Sequence, residues 1–413
     1  MQTRESVGVE SLIAQATAVH PKLQAARSRV AAAQNRIPQA SALPDPTAET
    51  MFWPIAKNAQ QLASGRMTNQ LALSQTVPWP DKLRTQAEVA IREVGMAQAE
   101  MREIEREIIE SVKLAYYEIW FSSNALRIVK ENRRLTEQIV KITQNRARSG
   151  GSQQDVLRAE LEVEKRDQQV LEIDQQLQVA QADLATQLQQ PIDLIVQPTE
   201  SLRLEDVSNQ LDSLLATAQQ CNPTLQNLAS QIQRDLQKQR LATLQKYPDL
   251  TYGVQYGMMT TSQAISPVAD GIDNLSFTVG TTLPVWKTKI RAGICEAASE
   301  RASSTQLHRA EWNSIAGRLR RLTQQAHSFD QQLTLYRDKL VPRAEQTLKI
   351  SQSEFVVGKT SFVQLTDNIT DLLNFQVEIA RIEASLAGVL AQIERTIGCE
   401  VDAGGQAGTK PSQ

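Results

Sequence analysis

The chain has little of what builds a mainly β protein and almost nothing of what builds an active site. Aromatic residues make up 4% of its 413 residues, and glycine numbers 17. Both are low for a fold dominated by sheet, which draws on aromatic strands and turn glycines. Cysteine occurs three times, at Cys221, Cys295 and Cys399. An odd, scattered set spells neither a disulfide framework nor a zinc knuckle. His20, His308 and His327 fit no metalloprotease or triad spacing, and His308 and His327 stand nineteen residues apart. Met258-Met259 has no other soft ligand nearby to make a metal site. No nucleophile, base and orienting residue converge on a motif, so the chain does not read as an enzyme, and no cofactor is called for. An excess of one charge is missing too. Lys and Arg number 44 against 46 Asp and Glu, a net charge of -2. A nucleic-acid partner would need a basic surplus. No run approaches the roughly 18 apolar residues of a transmembrane helix. The opening residues, Met1 to Ser6, carry no apolar segment of a secretory leader.

What the chain has is length in helix-forming residues, arranged twice. Ala, Gln, Leu, Glu and Arg dominate, the composition of long helices. His20-Pro21-Lys-Leu23-Gln24 resembles Asn222-Pro223-Thr-Leu225-Gln226, offset by 202 residues. Leu43-Pro44-Asp45-Pro46 resembles Tyr247-Pro248-Asp249-Leu250, offset by 204, and the prolines of Val77-Pro78-Trp79 and Leu283-Pro284-Val-Trp286 are offset by 206. Gly151 and Gly358 open two further helical runs, offset by 207. Four landmarks in one order indicate two repeats, 8–200 and 206–400, followed by a Gly-rich tail, 401–413, expected to be disordered.

Each repeat reads as a helix of about 30 residues, two strands, a very long helix, a glycine turn and a last helix. From Asp81 to Ser149 there is no proline and one glycine, with a stripe of Met101, Ile104, Ile108, Val112, Ala115 and Ile119. At 1.5 Å per residue such a helix spans roughly 100 Å. After Gly150-Gly151 the stripe is expected to run through Val156, Leu157, Leu161, Val170, Leu177, Leu184 and Leu188. In the second repeat, Thr288–Val357 is interrupted at Pro342, which should kink or divide the helix. The last helix places Phe362, Leu365, Ile369, Leu372, Ile382, Leu386, Val389, Ile393 and Ile397 on one side.

Four segments alternate instead. Strands are expected near 47–55, 69–78, 249–259 and 274–284. Leu275, Phe277, Val279, Thr281 and Leu283 alternate with Ser276, Thr278, Gly280 and Thr282, and Tyr252, Val254, Tyr256 and Met258 alternate with Gly253, Gln255 and Gly257. Runs of about ten residues, apolar on one face and small or polar on the other, have the form of barrel strands in a bilayer. Four strands cannot close a spanning barrel, and open edges in lipid cost several kcal/mol per unpaired group. Two copies would give eight strands with a filled interior, and three give twelve with room for a lumen.

Three stretches carry a family likeness: Leu73-Ser-Gln-Thr-Val-Pro78-Trp-Pro-Asp-Lys82-Leu-Arg84, Gly150-Gly-Ser-Gln-Gln-Asp155-Val-Leu-Arg-Ala-Glu160 and Val357-Gly358-Lys-Thr-Ser-Phe362-Val-Gln-Leu-Thr-Asp367. With the duplication, they make residues 8–400 resemble the TolC-type outer-membrane factors, and the first two stretches resemble the cation-efflux (CzcC-like) branch. The resemblance implies a mixed α/β membrane protein: duplicated long-helix coiled-coil hairpins plus four strands per chain. Three chains would form a trimeric 12-stranded β-barrel continued by an α-helical barrel. It implies a passive duct in the outer membrane, reaching into the periplasm and exporting metal cations or small toxic compounds. Its partners would be outer-membrane lipid, a periplasmic adaptor (membrane fusion) protein and an inner-membrane pump of the resistance-nodulation-division type. By motif position, Asp155, Gln364 and Asp367 stand at the periplasmic aperture. Gly150, Gly151, Gly358 and Lys359 form the turns that meet the adaptor, and Pro78 and Pro284 are bends at the barrel base. Gln364 replaces an acid, and Phe355 a tyrosine, that the family often has. Many members carry a lipid on an N-terminal cysteine, and none stands near this start. Trp53, Trp79 and Trp286 fall near strand ends, where an interfacial aromatic belt would lie, and packing in the core or loops accounts for them nearly as well. Helix capping by Asp155, three residues after Ser152, is an equally good account of that acid. The alternative to a duct is a soluble periplasmic coiled-coil scaffold or adaptor, which the alternating strands disfavour.

Overall fold

The computed structural model describes residues 7–191, 196–199, 201–202 and 211–399. The opening residues 1–6 and the expected tail 401–413 lie outside the described residues. Helices α1 (Val9–Val19), α2 (Pro21–Gln34) and α3 (Arg36–Ser41) lead to strands β1 (Thr47–Phe52), β2 (Gln60–Leu62) and β3 (Gly65–Val77). Helix α4 (Pro80–Arg148) runs 69 residues, and α5 (Gln153–Gln187) follows the first glycine turn. Then come α6 (Leu211–Cys221), α7 (Pro223–Leu244), β4 (Leu250–Thr260), β5 (Asn274–Thr281), α8 (Lys287–Leu335), a π-helical segment (Tyr336–Leu340), α9 (Val341–Val356) and α10 (Phe362–Ile397). No described helix is long and apolar enough to cross a membrane.

The chain forms two compact units. One comprises Met1–Arg27, Glu100–Leu225 and Glu311–Gln413, and the other Ser28–Ala99 and Gln226–Ala310. The first unit is helical and holds matched cores. In one, α1, α2, α4 and α5 bury Leu12, Leu23, Val112, Ile119 and Leu184. In the other, α6, α7, α8 and α10 bury Leu214, Leu225, Leu319, Leu386 and Ile393. Each such side chain contributes roughly 1.5–3 kcal/mol through burial. The expected stripe of α4 lies in the first core, and that of α10 is buried throughout, with Leu386, Val389, Ile393 and Ile397 in the second core and Phe362, Leu365, Ile369 and Leu372 in a third. On α5 the stripe is corrected: Val156 and Ala159 are buried, while Leu157 and Leu161 are exposed. Positions one and two residues from the packed face point about 100–200° away from it, so the subunit alone leaves them uncovered.

The leading helix is divided. His20 precedes Pro21, and its ψ of 124 leaves the helical region, as the proline ring demands. The interruption expected at Pro342 falls just before it, in the π-helical turn. Pro342 has no N–H for the carbonyl four residues earlier, so the ladder shifts register there.

The second unit holds the sheet, ordered β1-β3-β4-β5 and antiparallel throughout, with β2 paired to β3. β1 stops at Phe52, short of the expected 55, although Trp53 N–H still donates to Thr68 O (2.9 Å). β3 starts at Gly65, earlier than expected, because β2 folds back on it through a hairpin of its own.

Candidate functional site: two helix turns and a two-faced sheet

The pairing of strands fixes two faces. Ala48, Leu73, Val254 and Phe277 form one cross-strand row, and Thr50, Leu71, Tyr256 and Leu275 form the next. Between them Glu49, Ala72, Gln255 and Ser276 align, and Thr47, Ser74, Gly253 and Thr278 align on the far side of the first row. The apolar rows are bare: Leu71, Leu73, Leu275, Phe277 and Val279 are all exposed. A contiguous apolar sheet face of this extent marks a membrane surface rather than a water-facing one.

Below the sheet, the motif residues converge on one clasp. Lys82 Nζ donates to Asp249 Oδ1 (2.8 Å) and to Tyr247 O (3.0 Å). Trp79 N–H donates to the same Asp249 oxygen (3.0 Å), and its ring stacks on Tyr247 at 5.0 Å. Lys82 is buried, and a buried ammonium persists only where its donors find acceptors. Pro78 stands between β3 and α4, and Pro284 between β5 and α8.

At the first turn, Gly150 adopts φ +98, and Gly151 N–H donates to Arg146 O (2.9 Å). A Cβ on Gly151 would lie 3.0 Å from that carbonyl, so close an approach favours glycine. Ser152 is the N-cap of α5 but makes no side-chain cap bond. Asp155 sits in the first turn of α5, half-buried. At the second turn, Gly358 adopts φ +81, and Lys359 N–H donates to Glu354 O (2.9 Å). Thr360 Oγ1 donates to Glu354 Oε2 (2.7 Å), and Ser361 Oγ accepts from the backbone N–H of Gln364 (3.2 Å). The side chains of Lys359, Gln364 and Asp367 are exposed.

Arg146 joins the turns. Its Nη1 donates to Phe355 O (2.8 Å), and its guanidinium lies 4.4 Å from the centre of the Phe355 ring. Phe355 is buried and packs with Ile139, Ala159, Phe362 and Leu365. Further along, buried Arg166 of α5 donates to Thr370 Oγ1 of α10 (2.9 Å), and burial lowers its pKa from the ordinary value. Neither Arg146 nor the Lys82–Asp249 pair stood out as a site from sequence, although Lys82 and Asp249 both lie in the quoted motifs. Among the described residues, no cluster of His, Cys, Asp and Glu is placed to hold a metal.

A two-faced sheet with open edges, in a chain that also builds long helical hairpins, has the parts of a membrane-duct subunit. The chain belongs to the outer membrane efflux protein family, whose model matches residues 12–188 and 214–399. The fold is also that of solved channels. The outer membrane protein VceC of Vibrio cholerae superposes with a TM-score of 0.77 at 17% identity, covering 94% of this chain and 96% of that one. CusC gives 0.76 at 14% identity, covering 96% and 95%. The CmeC channel of Campylobacter jejuni gives 0.75 at 15%, covering 94% and 85%. No curated protein matches the sequence. The chain is therefore an outer-membrane efflux channel of a tripartite system, trimeric, reaching into the periplasm and without enzymatic activity of its own. The soluble-scaffold alternative falls with this assignment.

Proposed function

We propose that this channel serves a tripartite pump for metal cations or small toxic compounds. It works with a periplasmic adaptor (membrane fusion) protein and an inner-membrane pump of the resistance-nodulation-division type. The Pro78–Lys82 and Gly150–Leu157 stretches support the cation-efflux branch. Repeats 8–200 and 206–400 each contribute one glycine turn, and Gly150, Gly151, Gly358 and Lys359 are the surface offered to the adaptor. Pro78 and Pro284 are the bends between barrel and helices.

Asp367 carries the proposal. It is exposed on α10 beyond the Gly358 turn, with no ion-pair partner among the described residues. Repeated three times at a narrow mouth, with Asp155 as a second ring, it would attract cations and repel anions. Gln364 lies between Ser361 and Asp367 as a neutral member of the same lining. In planar bilayers under a salt gradient, Asp367→Asn should move the reversal potential towards zero. An unchanged reversal potential removes Asp367 from the filter.

A further inference from the structure

We propose that each subunit is locked to the next by an ion pair between Lys289 of one copy and Asp45 of the neighbouring copy. The pair repeats, across the subunit seam, the Lys82–Asp249 clasp found within the chain. The proposal rests on the trimeric channel and adds the contact that closes it.

The strand registers carry the argument. Advancing β1 by 204 residues and β3 by 206 turns the pairs Ala48–Leu73 and Thr47–Ser74 into Tyr252–Val279 and Thr251–Gly280. Both of these are observed pairs of β4 and β5, so the two hairpins share one register. The same shifts carry the central β3–β4 pairs Leu73–Val254 and Thr76–Thr251 onto Val279–Thr50 and Thr282–Thr47. Within one chain β1 and β5 occupy opposite edges of the sheet. Those pairs therefore form only between copies, where β5 of one meets β1 of the next.

The junction below the strands follows the same correspondence. α4 begins at Pro80 and α8 at Lys287, each directly after a tryptophan, so Trp79 corresponds to Trp286 and Lys82 to Lys289. Upstream of β4 and β1, Tyr247 corresponds to Leu43 and Asp249 to Asp45. The members of the internal clasp are covered: the Lys82 side chain is 5% exposed and that of Asp249 27%. Their counterparts are bare. Lys289 and Asp45 are exposed and have no partner among the described residues, and Trp286 is 76% exposed. A neighbouring copy seated in the internal register would bring Lys289 to Asp45 and lay Trp286 on Leu43. It would cover apolar surface and pair opposite charges in one step.

The test uses full-length protein in membranes, with Cys221, Cys295 and Cys399 changed to serine. D45C and K289C are introduced together and treated with a short bismaleimide. Covalent dimers and trimers should appear on denaturing gels, and neither single variant should yield them. K82C with D249C should retain monomer mobility, because that pair lies within a chain. In parallel, D45K and K289D should each lower the temperature at which the trimer dissociates in detergent, and the swapped D45K/K289D protein should regain most of the loss. A trimer that gives neither cross-links nor recovery overturns the clasp and leaves the channel assignment standing. A native mass below three chains for the unaltered protein overturns both.

Discussion

The two helix turns share a pattern of glycine followed by helix, yet they are held differently. The second is tied at several points: Thr360 binds Glu354, Ser361 caps α10, and Phe355 is buried beneath it. The first has two glycines, an uncapped Ser152 and one long side chain, Arg146, that leaves it to grip the second. Sequence likeness at the glycines thus conceals a division of labour. One turn is an anchor, and the other is moored to it.

The largest effect should come from Phe355→Ala, which removes a buried ring from the turn core at a cost of about 3–5 kcal/mol. Amide hydrogen exchange should rise in both turns, because Arg146 loses the ring on which it lies. Faster exchange in the second turn alone would break the mooring. Arg146→Ala should cost less, about 1.5–3 kcal/mol for a charged hydrogen bond, and should loosen chiefly the first turn. Ser361→Ala should cost about 1 kcal/mol through the lost cap, whereas Ser152→Ala should change melting hardly at all. Equal losses at the two serines would erase the distinction between the turns.

The smallest effect concerns another matched place, the two Xaa-Pro helix starts. Asn222 Oδ1 accepts from Leu225 N–H (2.9 Å), and its amide donates to Thr396 O (2.8 Å). His20 uses Nδ1 to accept from Lys22 N–H (3.2 Å). Burial first, and the charge of Lys22 second, hold the His20 pKa below the ordinary value, against the pull of Glu107. The unfolded chain therefore binds this proton first. The contribution is full above the ordinary histidine range and is lost as pH falls through it towards the lowered folded value. Thermal melting followed against pH should show a small acid-side decline that His20→Asn flattens.

Much of this was legible in the sequence because local period governs it. The apolar stripe of α4 and the alternation in β4 and β5 report burial within a few residues of themselves. The three-residue β2 is too short to show a period. The outward turn of Leu157 and Leu161 was missed because they stand beside the packed positions, and composition does not say which side of α5 meets α10. The Lys82–Asp249 clasp joins residues far apart in the chain. Both were visible as motif members, but only the pairing of β3 with β4 sets them side by side. Asp155 illustrates a different gap. Its spacing from Ser152 matches a capping box, yet Ser152 caps nothing here, and the acid is left to other uses.

The π-helical turn at Tyr336–Leu340 has a bearing on the mooring. A turn that holds one residue more than its neighbours works as a phase adjuster, and everything downstream inherits its setting. Removing a single residue there would let the turn close to ordinary α-helix with the downstream phase kept, whereas a residue removed below it, within α9, would carry Phe355 about 100° around the helix axis, out of reach of the guanidinium that waits for it. The alignment of the two turns is thus kept some fifteen residues upstream, by a local miscount in the coil.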